Sequence, residues 1–431
     1  MKACFYTLGC KVNQYETHAM RHHLEQNGFE TADYLPGETG KCDLLIINSC
    51  TVTGESDRKL RQLLRRCRRE QPEAVLVLSG CMPQAFPDKA AEFKEADIIV
   101  GNAARRKLAD LVLQFFNTHQ PIVEIPKHDN TFEELPIGDM EGHTRAFVKI
   151  EDGCNRFCSY CIIPYARGRV RSRSLESLRQ EVTTLAAKGY REIVLVGINL
   201  TAFGQDCGLT LADAVDTVCA IDGIERVRLG SIEPDYLTPP IIKRLASQPK
   251  LCPQFHLALQ SGCDATLKRM NRHYTTAEYA ALCKALRAQF PGCAITTDFM
   301  VGFPGETEEE FESSLSFVKE IAFARVHIFA YSRRPGTPAD RAPDQVQSRV
   351  KAERSRKTAD LCQRLASEYA AGLIGKTVPV LLETKLADGT VHGYSPEYVS
   401  VKVKTDAPAG TVLPVLITGA ENGECIAVPA E

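Results

Sequence analysis

The stretch that decides the fold lies at residues 151–161 and reads EDGCNRFCSYC. Its cysteines, Cys154, Cys158 and Cys161, are spaced C-x3-C-x2-C and follow an extended run over residues 145–150. Thiolates this close together in a loop are expected to bind one small common centre. A structural zinc site takes four protein ligands, and no fourth Cys or His lies within the next few residues. A [4Fe–4S] cluster on three thiolates leaves one iron open for chemistry, so the spacing favours a cluster.

The alternative interpretation is three buried cysteines that pack as small apolar side chains. Gly153, Asn155 and Ser159 argue against it, because they are typical of a loop. The spacing resembles the cluster loop of the radical S-adenosylmethionine (SAM) enzymes. In that family the amino and carboxylate groups of SAM chelate the open iron. The resemblance therefore implies a [4Fe–4S] cluster and SAM at this loop.

The length of 431 residues predicts two to three domains, and the composition is that of an ordinary soluble protein. We expect a cytoplasmic chain without membrane contact, because it shows neither a membrane-length apolar run nor a signal-peptide pattern. Seventeen cysteines are too dilute for a disulfide scaffold and are odd in number. They are expected to divide into metal ligands and buried bystanders. The net charge of -2 argues against bulk attraction to nucleic acid but allows local basic surfaces.

Residues 1–125 alternate short apolar strands with helices, which predicts a doubly wound parallel sheet. Three of its four predicted strands end in a small residue followed by a cysteine: Cys10, Cys50 and Cys81. Because the carboxyl ends of such strands meet at one edge of the sheet, these cysteines should converge. The sequence therefore predicts a second three-thiolate cluster site. The remaining cysteines of this region are expected to be packing or surface residues: Cys4, Cys42 and Cys67.

A predicted helix at about residues 55–70 is strongly basic. A solvated helix face and a phosphate-contacting surface explain this pattern equally well. Its basic residues are Arg58, Lys59, Arg61, Arg65, Arg66, Arg68 and Arg69.

Residues 126–144 are polar and rich in Pro and Gly, which predicts a linker. Residues 145–371 show six strand-like runs separated by helical patterns, and they end in a long charged helix from about residue 340. Six βα units predict a partial TIM-type barrel with its active site at the carboxyl ends of the strands. The C-x3-C-x2-C loop follows the first strand, which is where such a site lies.

Polar and glycine residues follow other strands of the predicted barrel. Glycines admit a nucleoside close to the backbone, and hydroxyl or carboxylate groups can bond a ribose or an amino group. Each residue alone is explained equally well as a turn or a helix cap, but together they outline a cofactor pocket. The pocket residues are Gly197, Asn199, Ser231, Glu233, Ser261, Asp298 and Gly302.

Four arginines alternate just past the cluster loop: Arg167, Arg169, Arg171 and Arg173. Their period of two predicts that the four side chains lie on one face of an extended segment, where they would suit phosphates or carboxylates. We expect this face to contact RNA. A partly exposed strand would show the same pattern without that function.

Residues 372–431 contain about five short strands separated by glycine turns. This predicts a small all-β barrel, like an OB fold, of the kind that binds oligonucleotides. A packing domain without a ligand is the alternative. The lysines that would contact RNA are Lys376, Lys385, Lys402 and Lys404.

Motifs along the whole chain resemble the methylthiotransferases: TLGCKVNQ at 7–14, NSCTVT at 48–53, SGC at 79–81, the cluster loop, and LQSG at 259–262. That family combines an N-terminal cluster domain, a radical SAM partial barrel and a terminal RNA-binding barrel called TRAM. The GCKVNQ form resembles the branch that modifies N6-threonylcarbamoyladenosine at position 37 of tRNA. Sister branches, which act on isopentenyladenosine or a ribosomal protein, carry other residues there.

The resemblance implies two [4Fe–4S] clusters and two molecules of SAM. One SAM methylates sulfur held at the cluster of Cys10, Cys50 and Cys81. The other is cleaved to a 5′-deoxyadenosyl radical at the cluster of Cys154, Cys158 and Cys161, so that the methylthio group reaches C2 of the adenine. An electron donor such as flavodoxin or ferredoxin is implied as a partner. Two alternatives are another radical SAM enzyme whose second cluster transfers electrons, and an RNA-binding protein with structural clusters.

Overall fold

The structure is a computed structural model that describes residues 1–37 and 40–430. The N-terminal part is a six-stranded parallel sheet in the order β2-β1-β3-β4-β5-β6. Its strands are β1 (Lys2–Thr7), β2 (Glu30–Asp33), β3 (Leu44–Ser49), β4 (Val75–Gly80), β5 (Ile98–Gly101) and β6 (Ile122–Glu124). Its helices are α1 (Lys11–Gln26), α2 (Gly54–Glu70), α3 (Cys81–Ala85), α4 (Pro87–Ala91) and α5 (Leu108–Thr118).

The sheet is covered on both faces, because its strands are apolar at successive positions and point alternate side chains to opposite sides. Ile46 of β3 belongs to the core beneath α1 and α5. Its neighbours Leu45 and Ile47 belong to the core beneath α2, which also contains Cys4, Cys42 and Cys67. The sheet is therefore doubly wound, as predicted.

The central part is an open barrel of parallel strands, formed by β7, β10, the segment β11–β12, β13, β14 and β15. Gly230 separates β11 from β12. In the described part of the chain no pairing joins β7 to β15, so the barrel stays open. The strands are β7 (Arg145–Lys149), β8 (Glu151–Asp152), β9 (Arg171–Ser172), β10 (Glu192–Val196), β11 (Arg226–Leu229), β12 (Ser231–Ile232), β13 (Gln254–Leu257), β14 (Ala294–Val301) and β15 (Arg325–Ala330). The helices are α6 (Ile163–Arg167), α7 (Leu175–Ala187), α8 (Leu211–Cys219), α9 (Pro239–Ala246), α10 (Asp264–Arg269), α11 (Thr276–Gln289), α12 (Glu308–Ile321) and α13 (Ser348–Ala371).

The C-terminal part is a closed five-stranded barrel in the order β16-β17-β18-β20-β19. Its strands are β16 (Thr377–Lys385), β17 (Val391–Tyr394), β18 (Ser400–Val403), β19 (Val412–Glu421) and β20 (Glu424–Pro429). The α/β class, the parallel sheets, the open barrel and the closed terminal barrel confirm the predicted fold. None of the described helices has the length and apolar character needed to cross a membrane.

The structure also corrects several predicted elements. The edge strands β2 and β6 were not predicted, because they are short and partly exposed and lack an apolar run. The long charged helix begins at Ser348 rather than near residue 340. A short 3-10 turn, Pro338–Arg341, comes first, and Pro343 lies in the irregular segment that follows it.

Candidate active site

Cys10, Cys50 and Cys81, here called the N-terminal trio, follow the adjacent strands β1, β3 and β4. Two glycines allow the strand ends to approach closely. Gly80 has φ +104°, and a Cβ there would lie 2.3 Å from the carbonyl oxygen of Ser49. A Cβ at Gly9 would lie 3.0 Å from Cβ of Cys50. The sheet therefore brings the three cysteines to one edge, as predicted.

The thiols of the N-terminal trio differ in exposure. Cys10 is exposed, whereas Cys50 and Cys81 are buried. Burial, together with the neighbouring Cys81, raises the pKa of Cys50 to about 12. Asn13 accepts a hydrogen bond from the Cys10 thiol at 3.4 Å, and Asn102 donates to Sγ of Cys81 at 3.6 Å. Because iron binds thiolates, loading a cluster here would release protons.

Cys154, Cys158 and Cys161, here called the loop trio, lie in the turn between β8 and α6. Gly153 has φ +89°, and a Cβ there would lie 1.9 Å from the carbonyl oxygen of Arg169, so the loop requires glycine. Ser159 fixes the loop to the barrel, because its backbone N–H donates to Met270 at 2.9 Å and its hydroxyl donates to the backbone of Arg269 at 2.8 Å. Burial raises the pKa of Cys154 to about 12 and also raises that of Cys161.

Polar side chains from other strand ends surround the loop trio. Arg272 donates to Sγ of Cys158 at 3.3 Å and pairs with Glu233 at 3.1 Å. Asn199 places its amide nitrogen 3.9 Å from Sγ of Cys154. The structure thus brings the predicted Glu233 and Asn199 to the loop trio. Arg272 was missed, because it lies beyond α10 rather than at a strand end.

The donor set of both trios fits a [4Fe–4S] cluster better than a single metal ion. Among residues 1–37 and 40–430, no three His, Cys, Asp or Glu side chains converge closely enough to hold one ion. A cubane cluster accepts each thiolate on a separate iron, so its ligands stand farther apart than those of one zinc ion. Three cysteines at each site also leave one iron of such a cluster without a protein ligand.

Arg167 joins the two trios and is fully buried. It follows the loop trio at the end of α6, yet its Nε and Nη2 donate to Sγ of Cys81 at 3.3 and 3.2 Å. Its guanidinium also donates to Oε2 of Glu16 at 2.9 Å and to Asn13 at 3.3 Å. The prediction that Arg167 lies on an RNA-binding face is therefore wrong.

The other alternating arginines also depart from that prediction. Arg171 is buried and donates to the backbone of Arg167 at 2.9 Å. Arg173 is buried and pairs with Glu181 of α7. Only Arg169 of the four is exposed, with its guanidinium 4.6 Å from the Phe157 ring. The alternation of arginines at every second position did not indicate an exposed face, because the segment turns inward to meet acidic groups of other elements.

Arg167 belongs to a buried ion network between α1 and the barrel. Glu16 of α1 contacts Arg105 at 2.5 Å and Lys149 at 3.1 Å. Asp152 contacts Lys149 at 3.2 Å. Although burial opposes ionisation, Arg105, Arg167 and Lys149 lower the pKa of Glu16 to about 2. Buried charges are costly unless paired, so this network fixes the N-terminal sheet against the barrel.

A second contact fixes the N-terminal sheet at the far side of the opening. Arg334, which follows β15, donates to Thr51 and to Asp57, both at 2.8 Å. The backbone N–H of Gly54 donates to Ser332 at 3.0 Å. The segment after Cys50 is thereby held over the end of β15, while α1 packs against β7. The N-terminal sheet therefore spans both edges of the open barrel.

A cavity of about 200 Å³ lies between the segments that follow Cys50 and contain Cys161. Its lining is mostly apolar, and its polar residues include Gln260, which follows β13, and Asp298 of β14. The lining residues that matter most are Val52, Thr53, Tyr160, Cys161, Met300, Phe329 and Tyr331. An apolar cavity with a few polar groups is suited to a flat aromatic base.

Some predicted pocket residues have other local roles. Ser261 is buried against α12, where its hydroxyl lies 3.2 Å from that of Ser314, so the prediction that it faces a cofactor is wrong. Gln260, which has φ +67°, faces the cavity instead. A Cβ at Gly197 would lie 2.7 Å from the carboxylate of Glu151, and one at Gly302 would lie 2.4 Å from Lys351. Both glycines are therefore required by packing.

Asp298 and Ser231 complete the predicted pocket set. Asp298 lines the cavity and contacts His256 at 3.3 Å. Ser231 is exposed at the end of the β11–β12 segment. A role in SAM binding stays a prediction for Gly197, Asn199, Ser231, Glu233, Asp298 and Gly302.

Two basic surfaces are available to a polyanion. On α2 five basic residues are exposed: Arg58, Lys59, Arg61, Arg65 and Arg69. Arg66 and Arg68 are partly buried in ion pairs with Glu70 and Asp97. On the C-terminal barrel the exposed lysines are Lys376, Lys385 and Lys404, whereas Lys402 pairs with Glu424 at 2.5 Å.

Comparison with known proteins matches this architecture. The family model described as radical SAM superfamily matches residues 148–318, and the one described as uncharacterized protein family UPF0004 matches residues 2–101. Threonylcarbamoyladenosine tRNA methylthiotransferase MtaB of Bacillus subtilis is 38% identical over 96% of this chain and 93% of its own. A tRNA-2-methylthio-N(6)-dimethylallyladenosine synthase of Pelotomaculum thermopropionicum is 36% identical over 96% of this chain and 94% of its own.

A solved structure shares the fold. The radical SAM methyltransferase TsrM from Kitasatospora setae superimposes with a TM-score of 0.60 at 15% identity, over 79% of this chain and 75% of its own. The chain belongs to the methylthiotransferase family of radical SAM enzymes. Within that family it falls in the threonylcarbamoyladenosine branch, which confirms the resemblance read from the GCKVNQ motif.

Proposed function

We propose that this chain is a tRNA methylthiotransferase that adds a methylthio group to C2 of N6-threonylcarbamoyladenosine at position 37. The observation that carries this proposal is the cavity between the loop trio and the segment that follows Cys50, lined by Val52 and Thr53 on one side and by Cys161 on the other. A base held there lies between the two cluster sites. The names of full-length relatives support the reaction and the substrate.

When bound, two [4Fe–4S] clusters and SAM supply the radical and the methylated sulfur that an aromatic C–H without an acidic proton requires. The chain's own residues hold these groups in place. Arg272 donates to Cys158 and pairs with Glu233, which orients the loop trio. Arg167 donates to Cys81 and so ties the N-terminal trio to the element that follows the loop trio.

The cavity lining would exclude water and hold the base. Val52, Met300 and Phe329 supply apolar contact, and Tyr160 and Tyr331 add aromatic faces for stacking. Bases of an anticodon loop can be splayed out of their stack, so adenosine 37 can enter a pocket of this kind. Gln260 and Asp298 are placed to bond polar edges of the bound groups.

The surrounding RNA would contact the exposed basic face of α2, which begins four residues after Cys50. The lysines of the C-terminal barrel, Lys376, Lys385 and Lys404, supply a second phosphate-contacting surface. A low-potential donor such as flavodoxin or ferredoxin would reduce the loop-trio cluster. The proposed tRNA substrate supports a cytoplasmic location for this activity.

The test is mass spectrometry of tRNA nucleosides from a strain that lacks this protein. We expect 2-methylthio-N6-threonylcarbamoyladenosine to disappear and N6-threonylcarbamoyladenosine to accumulate. Wild-type protein and Cys219→Ala should restore the product, because Cys219 is a buried residue of α8 outside both trios. Cys81→Ala and Cys161→Ala should not. Retention of the product in the deletion strain would refute the proposed substrate. Loss of the methylthio derivative of isopentenyladenosine would instead assign the reaction of the sister branch.

A further inference from the structure

Lys11 is a partly buried lysine that the two cysteine trios do not use. It follows Cys10 directly and begins α1. Its Nζ lies 5.9 Å from the ring centre of Phe147 on β7 and 5.6 Å from that of Tyr398 in the C-terminal barrel. The side chain therefore extends from the N-terminal trio toward the interior of the open barrel.

The ammonium of Lys11 has no anionic partner in residues 1–37 and 40–430. Within these residues the contacts of Nζ are with the aromatic rings of Phe147 and Tyr398. An ammonium that is partly removed from water and lies over aromatic rings without an ion pair is positioned to receive an anion.

The surroundings of Lys11 are positive. Arg145 lies 2.9 Å from Glu383, and Arg226 and Arg228 share Glu192 at 3.3 and 2.7 Å. Both Arg145 and Arg228 place their guanidinium groups within 5 Å of the Tyr398 ring centre. With Lys11, four cations meet two carboxylates. The described residues of this region therefore leave an excess of positive charge around the Lys11 side chain.

We propose that Lys11 is a specificity-determining residue that binds the carboxylate of the threonyl group on N6 of the substrate adenosine. The inference rests on the proposed function, which brings C2 of the base next to the N-terminal trio. The N6 substituent of threonylcarbamoyladenosine ends in a carboxylate, whereas an isopentenyl group is neutral. A lysine one residue from Cys10 distinguishes the two N6 substituents by charge, because only the threonylcarbamoyl group carries a carboxylate that can pair with its ammonium.

The experiment measures binding of anticodon stem-loops to the anaerobically reconstituted enzyme by fluorescence anisotropy. Three stem-loops are compared: one with N6-threonylcarbamoyladenosine at position 37, one with isopentenyladenosine and one with unmodified adenosine. Lys11→Met should weaken the first by about 10- to 100-fold, as expected for a hydrogen bond to a charged group, and change the other two by less than about twofold. Lys11→Arg, which keeps the charge, should retain most of the preference.

The matched control is Lys89→Met. Lys89 also places an unpaired ammonium over an aromatic ring, 5.0 Å from the centre of Phe86, but it is exposed on α4. It should leave all three affinities unchanged. The RNA-free affinity for SAM is measured in parallel, because the methionyl carboxylate is another possible anion, and Lys11→Met should not alter it.

Three results would overturn the proposal. An equal loss for all three stem-loops would assign Lys11 to an RNA phosphate, and a loss of SAM affinity would assign it to SAM. Unchanged binding of the threonylcarbamoyl stem-loop would remove any role in recognition. Product analysis with wild-type enzyme tests the proposed function separately: absence of the methylthio product refutes that function, whereas its presence with unchanged Lys11→Met binding refutes only the role of Lys11.

Discussion

Replacing Arg167 by Met removes a guanidinium that contacts both the N-terminal trio and the ion network between α1 and the barrel. The side chain is fully buried, and it contacts Cys81, Glu16 and Asn13 within 3.3 Å. Methionine retains most of the apolar volume, so the change isolates the charge and its donors. Two effects are expected: a loss of stability and a change at the cluster that we propose for Cys10, Cys50 and Cys81.

The magnitude of the stability loss follows from the partners that remain. Breaking a buried pair costs about 3 to 5 kcal/mol, because the remaining charge is left uncompensated. Glu16 would still contact Arg105 at 2.5 Å and Lys149 at 3.1 Å, so the lower end, about 3 kcal/mol, is expected. Arg105 is an equally buried residue that pairs with Glu16 but does not contact Cys81. Arg105→Met should therefore lose a similar amount of stability.

The assay separates the two effects. Urea unfolding of the anaerobic reduced proteins compares stability through the midpoint at constant slope. The reduction potential and electron paramagnetic resonance spectrum of the N-terminal cluster are then measured in chains whose loop trio is replaced by Ala. Hydrogen bonds to cluster sulfurs tune the potential, so Arg167→Met should lower it, and Arg105→Met should not. Identical cluster properties in both variants would refute a role for Arg167 at Cys81 and leave it a packing residue.

Four further predictions follow from the two trios, the ion network and the basic surfaces. Reconstituted protein should hold about eight irons, and alanine in place of the loop trio should leave about half; full retention would contradict the ligand assignment. Alanine at any member of the N-terminal trio should abolish methylthiolation but leave SAM cleavage, whereas Cys158→Ala should abolish both; equal loss in all variants would contradict this division. The pKa of Glu16, lowered from 4.5 to about 2, predicts about 3 kcal/mol of stability that is present above pH 5 and lost as pH falls toward 2. The Glu16→Gln variant should lack this acid-sensitive contribution when urea midpoints are compared across pH. Two variants test the basic surfaces: serine at the exposed basic residues of α2 and, separately, serine at Lys376, Lys385 and Lys404. Each should flatten the salt dependence of tRNA binding by about 0.7 in log–log slope per lost single-strand phosphate contact. An unchanged slope in either variant would remove that surface from the interface.

Substitution of surface lysines is a better test of the C-terminal barrel than its deletion, because the barrel is packed against the central one. Arg226 donates to the backbone of Tyr394 at 3.2 Å, and Arg228 donates to that of Pro396 at 2.8 Å. Deleting residues 372–431 would remove these backbone acceptors and leave the two buried arginines with Glu192 alone as a shared partner. The loss of RNA binding could then not be separated from damage to the central barrel.

The fold was predictable because its main signals are local. Buried parallel strands such as β3 and β4 are continuous apolar runs, and helices between them leave few alternatives to a doubly wound sheet. The small residue before each cysteine of the N-terminal trio also predicts where the strands end. Edge strands β2 and β6 carry no such signal, since their partly exposed residues alternate weakly and their pairing depends on the neighbouring strand.

The environment of charged side chains was not predictable, because their partners are distant in sequence. Arg167 and Glu16 are 151 positions apart, and a pattern that suggests an exposed strand is the same whether or not a carboxylate lies opposite. Ser261 fails for the same reason, since its partner Ser314 is on α12. Gln260 offered one local signal, its position before a glycine-containing turn. Its positive φ and its bridge to Phe299, a residue of another strand, were not predictable from that signal.

The contacts at the two edges of the barrel explain how one chain can keep the two cysteine trios in register. The loop trio is carried by the segment after β7, and the same segment continues into Arg167, which reaches Cys81. At the opposite edge, Arg334 after β15 holds Thr51, the residue that follows Cys50. Each edge of the open barrel thus contacts a residue of, or next to, the N-terminal trio. Buried and charge-assisted contacts resist displacement. A shift of the N-terminal sheet would have to break the Arg167 contact and the Arg334 contact at the same time. The two contacts therefore maintain the width of the cavity between the loop trio and the segment after Cys50.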